Sequence, residues 1–414
     1  MKTRRTTLAL AAALTLTSCA APPGDSPGEV PTPDRAKNVI VLQGDGMGIA
    51  HRELIRLATV GQNRELAMDR LEVSGWVHTD PADPTETVTD SAAAATAYAT
   101  GVRTYNGAVG VDAAGKPVPS LLERARDLGK STGLVTTSQV TDATPAAFAS
   151  HVLDRDDQSE IARQYLEETK PDVVLGGGED RWLPPGEPGA WPDHPWTDPT
   201  EESSGTAGNL VARAQELGYE YASNGAELAA ATSPKLLGLF ANEEMFEHRN
   251  EGEGAIYQPV VPLRDMAAKA LDTLSADEDG FFLLIEEEGI DEMTHHNNAH
   301  LTIAAGAAFD ATVALVLDFV KAHPDTLVVV EGDHETGGLT IENVDPDDES
   351  GEADSREDGP FTVAGSELQF TVDWTTTQHT GAATPLTATG PGSSALGRVQ
   401  HNTDVHDAIL AALH

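Results

Sequence analysis

The chain has 414 residues, long for one domain but within reach of a large α/β sheet, and its 39% hydrophobic and 22% charged residues suit a globular protein. Its 67 Asp and Glu outnumber 26 Lys and Arg, and a net charge of −41 repels polyanions, which excludes nucleic-acid binding. A single cysteine excludes any intrachain disulfide.

In chain order, the first segment reads as an export signal. Lys2, Arg4 and Arg5 form a basic start, and Leu8 to Leu16 is an apolar core too short for a membrane span. Leu16-Thr17-Ser18-Cys19 resembles a bacterial lipobox. Residues 1–18 are therefore expected to be a lipoprotein signal peptide, with lipid on Cys19 as the sole membrane attachment. The alternative is an ordinary signal peptide with a chance cysteine; Cys19 being the only one favours the lipobox. Thr3-Arg4-Arg5 leaves the twin-arginine route open beside the general one. Residues 19–36, rich in Pro, Gly and Ser, read as a flexible tether. Residues 37–414 read as one folded domain, exported and held at the cell surface or in the periplasm. Nothing downstream of the first segment is expected to span a bilayer. The acidity fits a saline habitat, where screening lengths shrink to ~3 Å at 1 M salt, and equally fits a lineage bias.

From residue 38 strands and helices alternate. Asn38 to Leu42 is an apolar run broken by Gly44-Asp45-Gly46-Met47-Gly48, and a helical pattern follows through Leu54, Ile55 and Leu57. Further strands are expected at Thr132 to Thr136, Asp172 to Leu175, Phe281 to Ile285 and Thr326 to Val330. Helices are expected at Leu121 to Leu128, Leu263 to Leu274 and Ala299 to Val320. This alternation predicts a three-layer α/β/α sandwich around a large, mainly parallel central sheet. Polar residues gather just after the strands: Asp45, then Asp142 and Thr144, then Glu286, then Asp333 and His334. Ligands of such sheets bind beyond the carboxyl ends of the strands, so these clusters are expected to form one site. Residues 182–206 and the acidic run 345–359 read as loops.

Each chemical candidate has a plain structural reading beside it. Ser91 opens an alanine-rich helix that runs to about Thr100, with Gly101 as its stop. A serine there is usually a cap; it also stands where backbone amides and the helix dipole favour phosphate. Asp291 and His295, four apart, share one face of a helical turn, which suits two ligands of one metal. Asp333-His334 follows an apolar strand, an uncommon place for such a pair. His379 lies in a polar loop and counts for little alone. Together these residues offer carboxylates, imidazoles, one hydroxyl nucleophile and no thiolate. Carboxylate with imidazole suits zinc, and an all-oxygen set suits magnesium.

These segments resemble the alkaline phosphatases, from about Lys37 to the C-terminus. The resemblance runs through Gly44-Asp45-Gly46-Met47-Gly48, Thr89-Asp90-Ser91-Ala92, Thr141-Asp142-Ala143-Thr144-Pro145 and Leu175-Gly176-Gly177-Gly178, then Lys235 to Phe240, Glu286 to His295, Asp333-His334-Glu335-Thr336-Gly337-Gly338, His379-Thr380-Gly381 and Gly390-Pro391-Gly392. It implies two zinc ions and one magnesium. One zinc would take Asp291, His295 and His379, and the other Asp45, Asp333 and His334. Magnesium would take Asp45, Thr144 and Glu286, with Asp142 acting through a water. Ser91 would be the nucleophile, passing through a phosphoserine, and Arg155 would clamp the phosphate of small-molecule monoesters. Relatives include homodimers and monomers, and homodimer formation stays open.

The sequence departs from the family at Glu287, Glu288, Glu292 and Glu331-Gly332, which are expected to make the site more anionic. His296 could compete with His295, though spacing favours His295. The alternatives are a phosphodiesterase of the same superfamily and a non-catalytic phosphate-binding lipoprotein. A sulfatase is excluded because Ser91 lacks the downstream Pro and Arg that formylglycine formation requires.

Overall fold

The computed structural model describes residues 35–194, 201–247, 257–344 and 358–414. The expected signal peptide and nearly all of the tether lie outside the described residues, as do parts of the two expected loops.

The strands are β1 (Asn38–Gly44), β2 (Val73–His78), β3 (Ser131–Gln139), β4 (Val173–Gly177), β5 (Glu220–Ala222), β6 (Leu236–Leu239), β7 (Phe281–Glu287), β8 (Thr326–Glu331), β9 (Glu335–Thr336), β10 (Thr340–Asn343), β11 (Asp358–Thr362), β12 (Gln369–Asp373), β13 (His379–Thr380), β14 (Thr384–Thr389) and β15 (Val399–His401). The helices are α1 (Ile49–Thr59), α2 (Ser91–Thr100), α3 (Leu121–Asp127), α4 (Ala143–Ala149), α5 (Gln158–Gln164), α6 (Leu210–Glu216), α7 (Gly225–Ala230), α8 (Leu263–Leu274), α9 (Gly289–His295), α10 (Ala299–Ala322) and α11 (Asn402–Leu413).

Ten strands form one sheet in the order β15-β2-β14-β8-β1-β7-β3-β4-β6-β5. Only β14 runs against the others, pairing antiparallel with both β2 and β8. The central strands are buried end to end, as apolar runs covered on both faces must be. Their side chains alternate between two cores. Val39, Val41, Leu134, Phe282, Leu284 and Val329 pack with α2, α3, α4 and α11 on one face. Ile40, Leu42, Val135, Leu283, Ile285 and Val330 pack with α1, α8 and α10 on the other. This is the expected sandwich. A third, smaller core lies under the sheet β10-β12-β11, where Phe361, Phe370, Val372 and Trp374 meet Leu54 and Leu57 of α1.

One expectation needs correction. By length and composition, α10 is apolar enough to cross a membrane, so a segment downstream of the first one could span a bilayer on those grounds alone. Its apolar surface has another use here: Leu301, Ala305, Phe309, Val313 and Val316 are buried in the core beside α1 and α8.

The segment that delivers Arg155 is fastened to its surroundings by His151. Its Nδ1 lies 2.7 Å from the Gly110 carbonyl and its Nε2 3.2 Å from Glu123. Burial opposes the charged ring, but the Glu123 hydrogen bond and the Gly110 carbonyl outweigh it, with a smaller pull from Glu168, and the pKa is raised. A raised histidine contributes stability that is complete below the unfolded value of about 6.5 and is lost as pH climbs through the folded value. His151→Gln should therefore cost more stability at pH 6 than at pH 9 in urea unfolding. Equal losses at both would mean that the charge is idle.

Candidate metal centre and nucleophile

The site forms where the central parallel strands end. β1 pairs with β7 on one side and β8 on the other, so Gln43 stands in register with both Glu286 and Glu331. Asp45 follows β1 directly, Asp333 and His334 follow β8, and α9 starts just past β7 with Asp291 and His295 on one face. The short pairing of β9 with β13 brings in His379 from a distant stretch of chain.

Two groups of three ligand atoms converge among the described residues, each group within 4.8 Å: Asp291, His295 and His379, and Asp45, Asp333 and His334. In the first, His295 Nε2 lies 3.0 Å from Asp291 Oδ2 and 3.1 Å from His379 Nε2. In the second, His334 Nε2 lies 3.3 Å from Asp45 Oδ1 and 3.3 Å from Asp333 Oδ2. These are the same two groups of residues that the sequence expects to hold zinc, and His295 rather than His296 joins the first.

The electrostatics suit bound cations. Burial, then the neighbouring Asp333 and Asp291 carboxylates, hold Asp45 well above the ordinary range. Burial and Asp291 push Asp333 up to about 7. Burial opposes ionisation of Asp291, yet the His295 hydrogen bond prevails and holds it low. Asp45 Oδ1, Asp333 Oδ2 and Glu286 Oε1 are buried with no hydrogen-bond partner. Buried charges of one sign are retained where they are paired or hold metal. The donor set, carboxylate with imidazole and no thiolate, matches zinc, so the residues fit the ions that the sequence implies.

The expected magnesium set is looser. Asp142, Thr144 and Glu286 stand outside the two compact groups. Thr144 Oγ1 accepts a 2.9 Å hydrogen bond from Gln43, and Thr136 donates to Glu286 Oε2 at 2.6 Å. Asp142 faces Arg155, whose Nη2 lies 3.0 Å from both its oxygens. Burial pushes Glu286 up to about 8, and Asp142 adds to the push.

Ser91 Oγ sits 3.2 Å from His334 Nε2 at the first turn of α2. Asp90 caps that helix, one carboxylate oxygen taking the Ala93 amide at 2.9 Å. Its other oxygen takes Gly107 N at 2.9 Å and lies 3.5 Å from Arg155. One carboxylate thus fixes both the helix that opens with Ser91 and the arginine. At the far end Gly101 adopts φ 73°, and the His406 ring fills the space a side chain would need.

Several contributors escaped sequence reading. Gln43 bonds Thr144, Thr136 bonds Glu286, and Thr336 touches both Asp291 and His334; of the three supporting residues only Thr336 lies in a segment that carries the resemblance, and there without a role. The amide of Gln43 at the end of the apolar run in Asn38–Gly44 was the one available signal. The acidic departures also divide. Glu287 turns away from Glu286 and is held by Thr137, Tyr257 and the Gly289 amide, so it does not charge the site. Glu288 and Glu292 lie in the field of Asp142 and Glu244, beside it.

The family model for alkaline phosphatase matches residues 36–365. The chain is 30% identical over 434 residues to alkaline phosphatase 4 of Bacillus subtilis, covering 91% of this chain and 88% of that one. It is 33% identical over 449 residues to streptomycin-6-phosphate phosphatase of Streptomyces griseus, covering 95% and 94%. The alkaline phosphatase of the Antarctic bacterium TAB5 superposes with a TM-score of 0.73 at 27% identity, covering 92% of this chain and 98% of that one. With most of its length matched and its metal-binding groups assembled, this chain belongs to the alkaline phosphatase family and is a phosphoric monoester hydrolase.

Proposed function

We propose that the chain hydrolyses phosphate monoesters through a phosphoserine on Ser91, at a site of two zinc ions and one magnesium. The observation that carries this reading is the convergence of Ser91 Oγ with His334 Nε2 at 3.2 Å, inside a nest of buried carboxylates that each leave one oxygen without a hydrogen-bond partner. Asp291, His295 and His379 would hold one zinc, Asp45, Asp333 and His334 the other, and Asp45, Thr144 and Glu286 the magnesium, with Asp142 reaching it through water. When bound, the ions act as Lewis acids that lower the pKa of the serine hydroxyl and balance charge on the leaving oxygen.

The chain's own groups do the rest. Ser91 Oγ attacks phosphorus in line, the bond to the substrate alcohol breaks, and the alcohol leaves with a proton. Water then attacks the phosphoserine from the opposite side and frees Ser91 and inorganic phosphate. Asp90 takes the Ala93 amide, whereas the Ser91 and Ala92 amides have no carbonyl one turn earlier to donate to and are available to phosphoryl oxygens. Arg155 is held by Asp142 and Asp90, and its planar fork can present remaining N–H donors to two phosphoryl oxygens. That grip suits a terminal dianion better than a diester, which favours monoesterase over phosphodiesterase. Streptomycin-6-phosphate phosphatase is a relative, so phosphorylated alcohols of varied size are reasonable substrates to test.

Replacing Ser91 with Ala should abolish labelled phosphate trapped on the protein at acid pH and cut monoester turnover by orders of magnitude. Label retained on the variant would put the nucleophile elsewhere.

Glu292 directly follows Asp291 and lies in the field of Asp142 and His295. Burial and Asp291 push its pKa up to about 8, so its charge opposes product phosphate in alkaline solution. Two unit charges 4 Å apart interact by about 1 kcal/mol in water and about 4 at an effective dielectric of 20. Glu292→Lys should therefore tighten inhibition by inorganic phosphate about tenfold or more and slow turnover at alkaline pH. An unchanged inhibition constant would remove Glu292 from phosphate binding.

Export is part of the same proposal, with Cys19 carrying lipid and the Pro-rich segment acting as tether. Cys19→Ser should move the enzyme from the membrane fraction to the soluble one with its specific activity intact. A variant that stays membrane-bound would refute the lipobox.

A further inference from the structure

The hydroxyl of Thr336 touches a member of each three-residue group at once. It donates to Asp291 Oδ1 and lies 3.2 Å from His334 Nδ1, and the residue is fully buried. Asp291 belongs to the first group and His334 to the second. The pairing of β9 with β13 adds a third link, since Thr336 stands in register with His379 of the first group.

The polarity of these bonds is forced. A carboxylate only accepts, so the single proton of Thr336 goes to Asp291. The hydroxyl oxygen then accepts from His334 Nδ1–H. His334 Nε2 therefore keeps its lone pair, and it is the atom that faces Ser91 at 3.2 Å and Asp45 and Asp333 at 3.3 Å each. His295 and His379 are oriented differently, each with Nδ1 against a backbone carbonyl, Thr377 at 2.6 Å and Thr89 at 2.9 Å. A carbonyl accepts whatever its surroundings. His334 alone depends on a hydroxyl, and the proton direction in that hydroxyl is set by a carboxylate of the other group. Asp291 is constrained in return: Oδ1 is engaged by Thr336, and Oδ2 faces His295 at 3.0 Å. The arrangement has no slack, because a side chain on Gly46 would collide with both Asp291 and Thr336.

We infer that Thr336 is a positioning residue shared by the two zinc centres, fixing the Nδ1-protonated tautomer of His334 for one and leaving a single free oxygen of Asp291 for the other. This rests on the two-zinc reading above. Partners of this kind behind metal ligands typically change metal affinity by about 10- to 100-fold.

The test is equilibrium zinc binding to the metal-stripped full-length protein in excess magnesium, by competition with a chromophoric chelator. Wild type should take up two zincs tightly. Thr336→Val, close in shape but without the hydroxyl, should weaken both sites by about 10- to 100-fold. Thr336→Ser should keep both. Should the valine variant not fold, Thr336→Ala against Thr336→Ser makes the same comparison. A loss confined to one site, unchanged affinities, or equal losses in the serine and valine variants would each overturn the shared role. A wild-type chain that binds fewer than two zincs would overturn the two-zinc reading and this inference with it, an outcome separate from two zincs held equally well by wild type and variant.

Discussion

The structure is organised around an electrostatic conflict. Asp45, Asp291, Asp333 and Glu286 are all buried at the ends of adjacent central strands. At an effective dielectric of 20, two unit charges 4 Å apart repel by about 4 kcal/mol, and several such pairs would consume the net stability of an ordinary domain. The sheet nevertheless forces them together, because β1, β7 and β8 are parallel neighbours whose carboxyl ends coincide. Bound metal ions would resolve the conflict, and their binding free energy would then become part of the folding free energy. With one cysteine in the chain, no disulfide shares that task.

The rest of the fold supplies precision where the strands supply proximity. Three imidazoles must each present one particular nitrogen, and each does so because an oxygen is placed behind its Nδ1. Those oxygens come from different parts of the chain: Thr377 beside β13, Thr89 just before α2, and Thr336 in β9. Glu335 ties the same pair of short strands together by accepting from Thr380. The small strands that look incidental to the sandwich are thus what aims its metal ligands.

Much of this was legible in the sequence. The apolar runs at Asn38 and Phe281 mark central strands because burial on both faces demands unbroken hydrophobic stretches. Asp45, Asp333 and His334 stood out because they follow the apolar runs at Asn38 and Thr326, and the family resemblance then grouped them as ligands. The strands β2 and β14 were not legible. β2 alternates exposed and buried residues around Gly75, and β14 reads Thr-Pro-Leu-Thr-Ala-Thr with one large apolar side chain. A proline usually argues against a strand inside a sheet, yet Pro385 pairs with Trp76 there. The supporting hydroxyls were illegible for a different reason. Thr136 and Thr336 are ordinary residues in composition, and their roles arise only from contacts across 150 and 45 residues of chain. The burden of acids was read too simply as well, since strand alternation sends Glu286 and Glu287 to opposite faces and only the first reaches the site.

Arg155 shows how such a site can treat phosphate without becoming a general anion trap. Its guanidinium is flanked by Asp142 and Asp90, so most of its charge is already balanced. Burial opposes its charged form, but these carboxylates outweigh burial and raise its pKa further, so it stays a cation at any working pH. A compensated cation attracts anions weakly at a distance yet still offers hydrogen-bond donors in a fixed plane at contact. Long-range attraction is in any case weak for a chain with a net charge of −41. Phosphate recognition must therefore be short-ranged, set by the bound cations, the opening amides of α2 and the fork of Arg155. Such a site favours ligands by the geometry of their phosphoryl oxygens over their total charge.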